Sequence, residues 1–292
     1  MKNLFFIFSI VLYLQTEFLT AKMYDLAICT IFKNEAPYLE EWIEYHKLVG
    51  VEHFYLYNNE SEDNFLNVLK PFIELGEVTL IHWPDRSSNE YTDTLYAWVY
   101  STQMSACEDA ISLAKNKTKW IAAIDVDEFI VPVQENSIPA VLSKYEKQFP
   151  GVAVFWDLFG TSNLDLIPPN KLLIEVLHKK APENCPLHLI SKTILKPEMY
   201  KNFEHPPHTC NYINGKSHHP IPKTELVINH YTNRCNAYFY VNKIKNKKKM
   251  DNTKLSQNEI TSMLDFGNEE EDPTRSIQRF VPSLRKKIQL LQ

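Results

Sequence analysis

The residues with the most chemical potential are three acids that follow an apolar run, Trp120-Ile-Ala-Ala-Ile-Asp125-Val-Asp127-Glu128-Phe129. The run reads as a buried strand, and its carboxyl end is where a parallel sheet presents ligands. Along an extended chain Asp125 and Asp127 project to the same side. Two such carboxylates repel unless a cation lies between them, and an oxygen-rich site suits Mg²⁺ or Mn²⁺. An ion of that kind bridges phosphate oxygens and neutralises a departing diphosphate. A bare Asp-x-Asp is common and can simply end a strand in an acidic loop. The purely apolar strand ahead of it is what gives this one weight.

A second group lies at Phe32-Lys33-Asn34-Glu35-Ala36-Pro37. A cation, an amide and an acid stand at a strand tip ahead of a helix amino terminus, a geometry that receives a nucleotide. The plainer reading is a helix cap by Asn34 or Glu35. A further strand ends in Asn58-Asn59, so three strand tips converge on one crevice. Histidine forms a third signal, because seven of the ten lie between His178 and His230. His205-Pro-Pro-His208 and His218-His219 sit on loops. His230 ends a strand, where it can complete a metal site begun by Asp127. Cys210 and these histidines lack the ligand spacing of a structural zinc site.

These groups need a scaffold that brings strand ends together. Strands are expected at 24–31, 51–57, 77–83, 120–125 and 152–156. Helices are expected at 37–48, 64–75, 93–114 and 138–149. The alternation indicates an α/β fold with a mostly parallel sheet flanked by helices. Prolines crowd the chain after Pro168, where strands are expected at 172–177, 188–195 and 225–230 in an irregular, acceptor-binding half. Helix is expected from Asn236 on. The divisions that follow are 1–22, a catalytic domain at 23–250 and a helical tail at 251–292. Lys243–Lys249 and Glu269–Asp272 read as solvated surface, the lysines alternatively as a contact with anionic lipid.

Composition excludes several classes. Six glycines are too scattered for GxGxxG, a P-loop or GxSxG, which removes the usual dinucleotide, P-loop and nucleophile-elbow readings. A net charge of -5 argues against nucleic acid as a partner. Five cysteines without CxxC do not make a disulfide scaffold. Lys2 and the apolar stretch Leu4–Leu14 resemble a secretory signal or a membrane anchor, placing the protein in the secretory pathway or cell envelope. If Met23 is the true start, the protein is cytoplasmic.

The stretch Cys29-Thr-Ile-Phe-Lys-Asn-Glu-Ala-Pro-Tyr-Leu-Glu-Glu-Trp42-Ile-Glu-Tyr-His46 resembles the opening of glycosyltransferase family 92 and related family 2-like enzymes. Phe54–Asn59, Trp120–Phe129, Trp156–Ser162, Ser191-Lys192, His205–His208 and Asn229-His230-Tyr231 follow in the same order. The resemblance implies a GT-A nucleotide-sugar fold, a divalent metal, an inverting transfer and, for some members, a galactose-type donor. Two departures stand out: Asn163-Leu164 replaces Gly-His, and Arg234-Cys235 replaces Lys-Ser.

On this reading a nucleotide-sugar, a UDP-sugar, donates to a glycan or other hydroxyl acceptor. Asp125, Asp127 and His230 hold Mn²⁺ or Mg²⁺. Lys33, Asn34, Glu35, Asn58, Asp125 and Lys192 line the donor crevice, with Lys192 meeting the diphosphate. Trp156 and His208 face the acceptor. Asp157, just after the strand 152–156, is the candidate base, with Asp165 or His208 next in line. Trp42 and Trp120 read as core. The rivals are a non-catalytic carbohydrate-binding protein on the same fold and an Asp-x-Asp phosphatase. The latter places its motif near the amino terminus.

Overall fold

A computed structural model of the chain describes residues 23–86, 98–244 and 256–289. The strands in chain order are β1 (Tyr24–Phe32), β2 (His53–Asn58), β3 (Val78–His82), β4 (Thr118–Ala123), β5 (Glu128–Pro132), β6 (Gly151–Leu158) and β7 (Lys179–Lys180). They continue as β8 (Ser191–Leu195), β9 (Tyr200–His205), β10 (Thr209–Tyr212), β11 (His219–Pro220), β12 (Leu226–His230) and β13 (Glu270–Glu271). The main sheet has the order β3-β2-β1-β4-β8-β6-β12-β5, with β11 added on β6. Strands β1 to β4 pair in parallel. The sheet then becomes mixed, because β8 runs antiparallel to β4 and β6, and β5 antiparallel to β12. Parallel pairing still predominates.

The period of two along β1 sends Leu26 and Ile28 to one core cluster and Ala27, Cys29 and Ile31 to another. Helix α1 (Ala36–Leu48) opens with a proline in its first turn and buries Leu39, Trp42 and Ile43 in the first cluster. Helix α2 (Phe65–Glu74) buries Leu69 and Phe72 there too. Helix α3 (Met104–Ala114) fills the second with Ala106, Cys107, Ala110 and Ile111. Trp42 and Trp120 are core residues. Burying such a side chain contributes about 1.5–3 kcal/mol. Trp42 also donates its indole N–H to the Glu128 carbonyl at 2.9 Å, fixing α1 to β5.

Several elements differ from expectation. Residues 172–177 form a helical turn, Leu173–Val176, instead of a strand. The carboxylate of Glu41, on α1, accepts the N–H groups of Leu173 at 2.8 Å and Ile174 at 3.0 Å, capping that turn from afar. The helix expected at 138–149 ends at Leu142. Strand β5 was not anticipated at all. Asp157 lies within β6 and not after it. A π-helical turn, Val99–Gln103, leads into α3; the start expected at Asp93 falls outside the described residues.

Residues 256–289 are part of the fold. Strand β13 pairs with β7, and the helix Val281–Gln289 lends Leu284 to the α1-side core. Phe280 packs against Tyr45 with ring centroids 5.8 Å apart. The Gly267 carbonyl accepts the Gly160 N–H at 2.8 Å, so close that a Cβ on Gly160 would lie 2.6 Å from that backbone.

Candidate functional site at the strand tips

After β4 the chain turns through Asp125, Val126 and Asp127 into β5. The Asp125 carboxylate is held from two sides. Lys192 Nζ, on β8, donates to Oδ2 at 2.8 Å, and Gln103 Nε2 donates to Oδ1 at 3.2 Å. Glu128 Oε2 accepts the Asp125 N–H at 2.9 Å and lies 3.5 Å from Lys192 Nζ. Lys192 is only 2% exposed and Glu128 is fully buried. Burial works against the lysine's charge, but Asp125 and Glu128 outweigh it and hold the ammonium protonated. Burial pushes Glu128 up to about 7, against the pull of Lys192. Lys192 is thus an internal counter-ion for Asp125.

Asp127 has a different neighbour. Its Oδ1 lies 3.6 Å from His230 Nε2 at the end of β12. Its backbone carbonyl accepts the Tyr231 N–H at 2.8 Å, which fixes the two strand ends together. Burial would lower the His230 pKa, but Asp127 more than offsets this and the net shift is upward. His230 Nδ1 is buried and has no hydrogen-bond partner among the described residues. Trp156 packs beside it at 4.4 Å between centroids, and His208 flanks Trp156 at 5.4 Å.

His208 is anchored to β8. Its Nδ1 contacts the Ser191 carbonyl at 2.9 Å, and its own carbonyl accepts from the Thr193 hydroxyl at 2.6 Å. A carbonyl only accepts, so Nδ1 carries the proton and Nε2 keeps a lone pair. Burial, helped by the nearby Lys192 charge, takes the His208 pKa down to about 4. The ring is neutral at ordinary pH.

The tips of β1 and β2 are knitted together. Asn34, at φ 57°, donates its N–H to Ser61 Oγ at 2.9 Å and accepts the Glu62 N–H at 2.7 Å. Asn58 Oδ1 accepts the Ser61 N–H at 2.9 Å. Asn34 and Asn58 therefore order the loop that begins at Ser61. Lys33 is exposed beside it. The cap of α1 comes from Asp63, which accepts the Ala36 N–H at 2.8 Å, and not from Asn34 or Glu35. Glu35 turns instead to Arg234, 2.5 Å away.

Asp157 is not part of this cluster. Trp156 and Asp157 are consecutive on β6 and so point to opposite sides of the sheet. Asp157 is held by Lys223 at 2.6 Å and Lys180 at 3.2 Å, in a separate cavity of about 320 Å³ that also involves Asn229 and Thr274. Burial would raise its pKa, but the two lysines outweigh this and lower it. A carboxylate so neutralised is a poor base. Asp165, the other reserve acid, lies at the surface and accepts from Asn236 at 2.9 Å. Gln103 had no motif to mark it, and the partners of Glu128 and Arg234 lie across the fold.

The described residues form an α/β fold with an acidic turn after the fourth strand and a histidine on the facing strand end. The sequence profile of Glycosyltransferase family 92 matches residues 23–266, and the chain belongs to that family. It is 26% identical over 228 residues to a glycosyltransferase family 92 protein of Arabidopsis thaliana, covering 71% of this chain and 35% of that protein. It is 34% identical over 133 residues to the galactan β-1,4-galactosyltransferase GALS3 of Arabidopsis thaliana, covering 43% of this chain and 25% of the relative. The chain thus spans about a third of the length of the curated relatives it matches. Among solved structures, S. aureus TarS 1–349 in complex with UDP aligns with a TM-score of 0.42 at 9% identity, over 82% of this chain and 69% of TarS.

Proposed function

We propose that the protein is a metal-dependent glycosyltransferase that moves a sugar from a UDP-sugar to a hydroxyl of a glycan or similar acceptor, with inversion. Relatives named as galactosyltransferases make galactose the first donor sugar to test. The observation that carries the reading is the Asp127–His230 pair at the strand tips, with an imidazole nitrogen left unpartnered beside it. A carboxylate and an imidazole suit Mn²⁺. Among the described residues no three acidic, histidine or cysteine side chains gather as a ready-made metal cluster. Asp127 and His230 would supply two ligands and the donor diphosphate the others, while Asp125 stays committed to Lys192 and Gln103. Bound there, the metal would neutralise the leaving diphosphate.

The other roles follow from what each side chain touches. Lys192 and Gln103 hold the Asp125 carboxylate and Glu128 holds its backbone N–H, so that Asp125 would meet the donor without reorganising. Asn34 and Asn58 hold the crevice wall, and Lys33 stands at its exposed edge. Trp156 and His208 line the acceptor side. His208 Nε2 replaces Asp157 as the acceptor of the attacking hydroxyl's proton. Residues 1–22, which would carry the secretory or membrane address, lie outside the described residues.

The test is thermal unfolding with a panel of nucleotide-sugars, with and without Mn²⁺. Ligand at about 100 times its Kd stabilises by about 2.7 kcal/mol, which shifts the midpoint measurably. The reading requires that a UDP-sugar with Mn²⁺ raise the midpoint and that UDP appear when an acceptor is added. No shift with any donor, metal present or not, would sink it.

A further inference from the structure

Asn59-Glu-Ser61 and Asn116-Lys-Thr118 are both acceptor patterns for an Asn-linked glycan. The fold treats their asparagines in opposite ways. Asn59 follows β2 at the strand tips and is 5% exposed. Its N–H donates to the Phe32 carbonyl at 2.9 Å, and its Nδ2 donates to the Trp83 carbonyl at 2.9 Å. The residue thereby ties the tip of β2 to the end of β1 and to the residue after β3. An amide so enclosed has no room for a sugar, which is bulky and belongs at the surface.

Asn116 occupies the turn between α3 and β4. The Ala114 carbonyl accepts the Lys117 N–H at 3.0 Å across that turn. Asn116 sits at φ 59°, a left-handed conformation that asparagine tolerates better than most residues. Its backbone N–H donates to Glu198 Oε1 at 2.6 Å, which pins the main chain. The residue is exposed, as are Lys115 and Lys117 on either side. Among the described residues no hydrogen bond engages its side-chain amide. The turn lies at the start of β4, a strand of 6 residues whose other end leads to Asp125. At about 3.3 Å per residue the strand puts roughly 20 Å between them. A glycan on Asn116 would stand clear of Asp127 and His230.

We propose that Asn116 is an N-glycosylation site of the folded protein and that Asn59 is not. The proposal rests on the secretory address expected of residues 1–22 and is independent of the sugar-transfer reading. The glycan donor is a lipid-linked oligosaccharyl diphosphate. Asn116 Nδ2 bonds to the anomeric carbon of its first sugar as the bond from that carbon to the diphosphate breaks. The lipid diphosphate leaves with the electron pair, and one amide proton passes to a base of the oligosaccharide transferase. Thr118, whose hydroxyl completes the pattern, is 3% exposed and pairs with Tyr24 of β1. Transfer therefore precedes the closure of β4 onto β1. Asn59 is open in the same interval, but a glycan there would block the contacts with Phe32 and Trp83, and such a chain would not reach the folded state.

The experiment is expression of the full chain, with its own amino terminus, in a eukaryotic secretory host. Peptides of the folded fraction are mapped by mass before and after an amidase that converts glycosylated asparagine to aspartate. Protease protection in sealed vesicles, or recovery from the medium, reports whether the chain entered the pathway. Wild type should carry a glycan on Asn116 and an unmodified Asn59. Asn116→Gly suits the positive φ and should lose the glycan and its step in gel mobility. Thr118→Val keeps a branched strand former and leaves Asn116 in place, and it should lose the glycan as well. The second variant covers an Asn116→Gly protein that does not fold. A bare Asn116 in chains that entered the pathway overturns the site. A glycan on Asn59 in folded protein overturns the distinction between the two asparagines. A chain that stays outside the pathway overturns the address on which the proposal rests. UDP-sugar binding, read separately by thermal unfolding, is untouched by any of these results.

Discussion

Asp127 and Asp157 are both acids at strand ends beside a positively charged or basic group, yet they have opposite chemical futures. Asp127 lies 3.6 Å from a histidine whose second nitrogen is unpartnered. Asp157 lies within 3.2 Å of two lysine ammoniums that answer its charge in full. The difference teaches that an acid at a strand tip becomes a site only when its neighbours leave coordination or proton-accepting capacity unspent. Lysine has no lone pair to offer once it is protonated, whereas imidazole has one.

The comparison can be broken most decisively by asparagine at each position. Asp127→Asn should lower sugar transfer by roughly 10²- to 10³-fold, the scale at which single electrostatic groups support catalysis. Asp157→Asn should leave transfer within about 3-fold, because it touches no proposed reacting group. Steady-state rates with a UDP-sugar decide between them. If Asp157→Asn were the more damaging, the reacting centre would lie on the other side of β6.

His208 sharpens the same contrast on the acceptor side. His208→Gln keeps a donor for the Ser191 carbonyl but loses the basic nitrogen. Transfer should fall by about 10²-fold while Mn²⁺-dependent UDP affinity holds within about 2-fold. A loss of donor affinity as large as the loss of rate would mean that His208 belongs to the donor wall.

The smaller effects concern stability. Asp157→Asn leaves Lys180, 5% exposed, without its closest counter-ion, and should cost about 1–3 kcal/mol in urea unfolding at neutral pH. The pH dependence has a defined sign. The folded carboxyl titrates below the ordinary value of 3.8, since the lysines outweigh the upward push of burial. Its stabilising contribution is present above that value and is lost as pH falls through the lower, folded one. Wild type should therefore lose stability more steeply than Asp157→Asn below about pH 4. Parallel curves for the two proteins would show that the lysines do not hold this carboxylate as described.

The parallel half of the sheet was legible in the sequence because each element there is specified locally. Val51–Tyr57 and the run ending at Ile124 are apolar blocks bounded by turn residues, and Pro37 marks the start of α1. The other half is specified at a distance. Strand β5 was hidden because it opens with Glu128, whose burial makes sense only beside Lys192 from β8. Residues 173–176 become helical with a cap from Glu41, which is 132 residues away from Leu173. The candidate site divided in the same way. Asp127 and His230 were visible as groups at strand ends, and they lie 3.6 Å apart. Asp157 was misplaced because β6 continues two residues past 156, to Leu158, and within the strand Asp157 points away from Trp156. Glu35 finds its partner in Arg234, 199 residues further along.

The packing of the helix Val281–Gln289 into the α1-side core also bears on the order in which the molecule can be made. Ribosomes deliver chain from the amino terminus, so α1 emerges well before the residues that cover it. Until then the aromatic face around Tyr45, which packs on Phe280, has no lid. A nascent chain in that state carries an adhesive surface, and a fragment cut at residue 250 would carry it permanently.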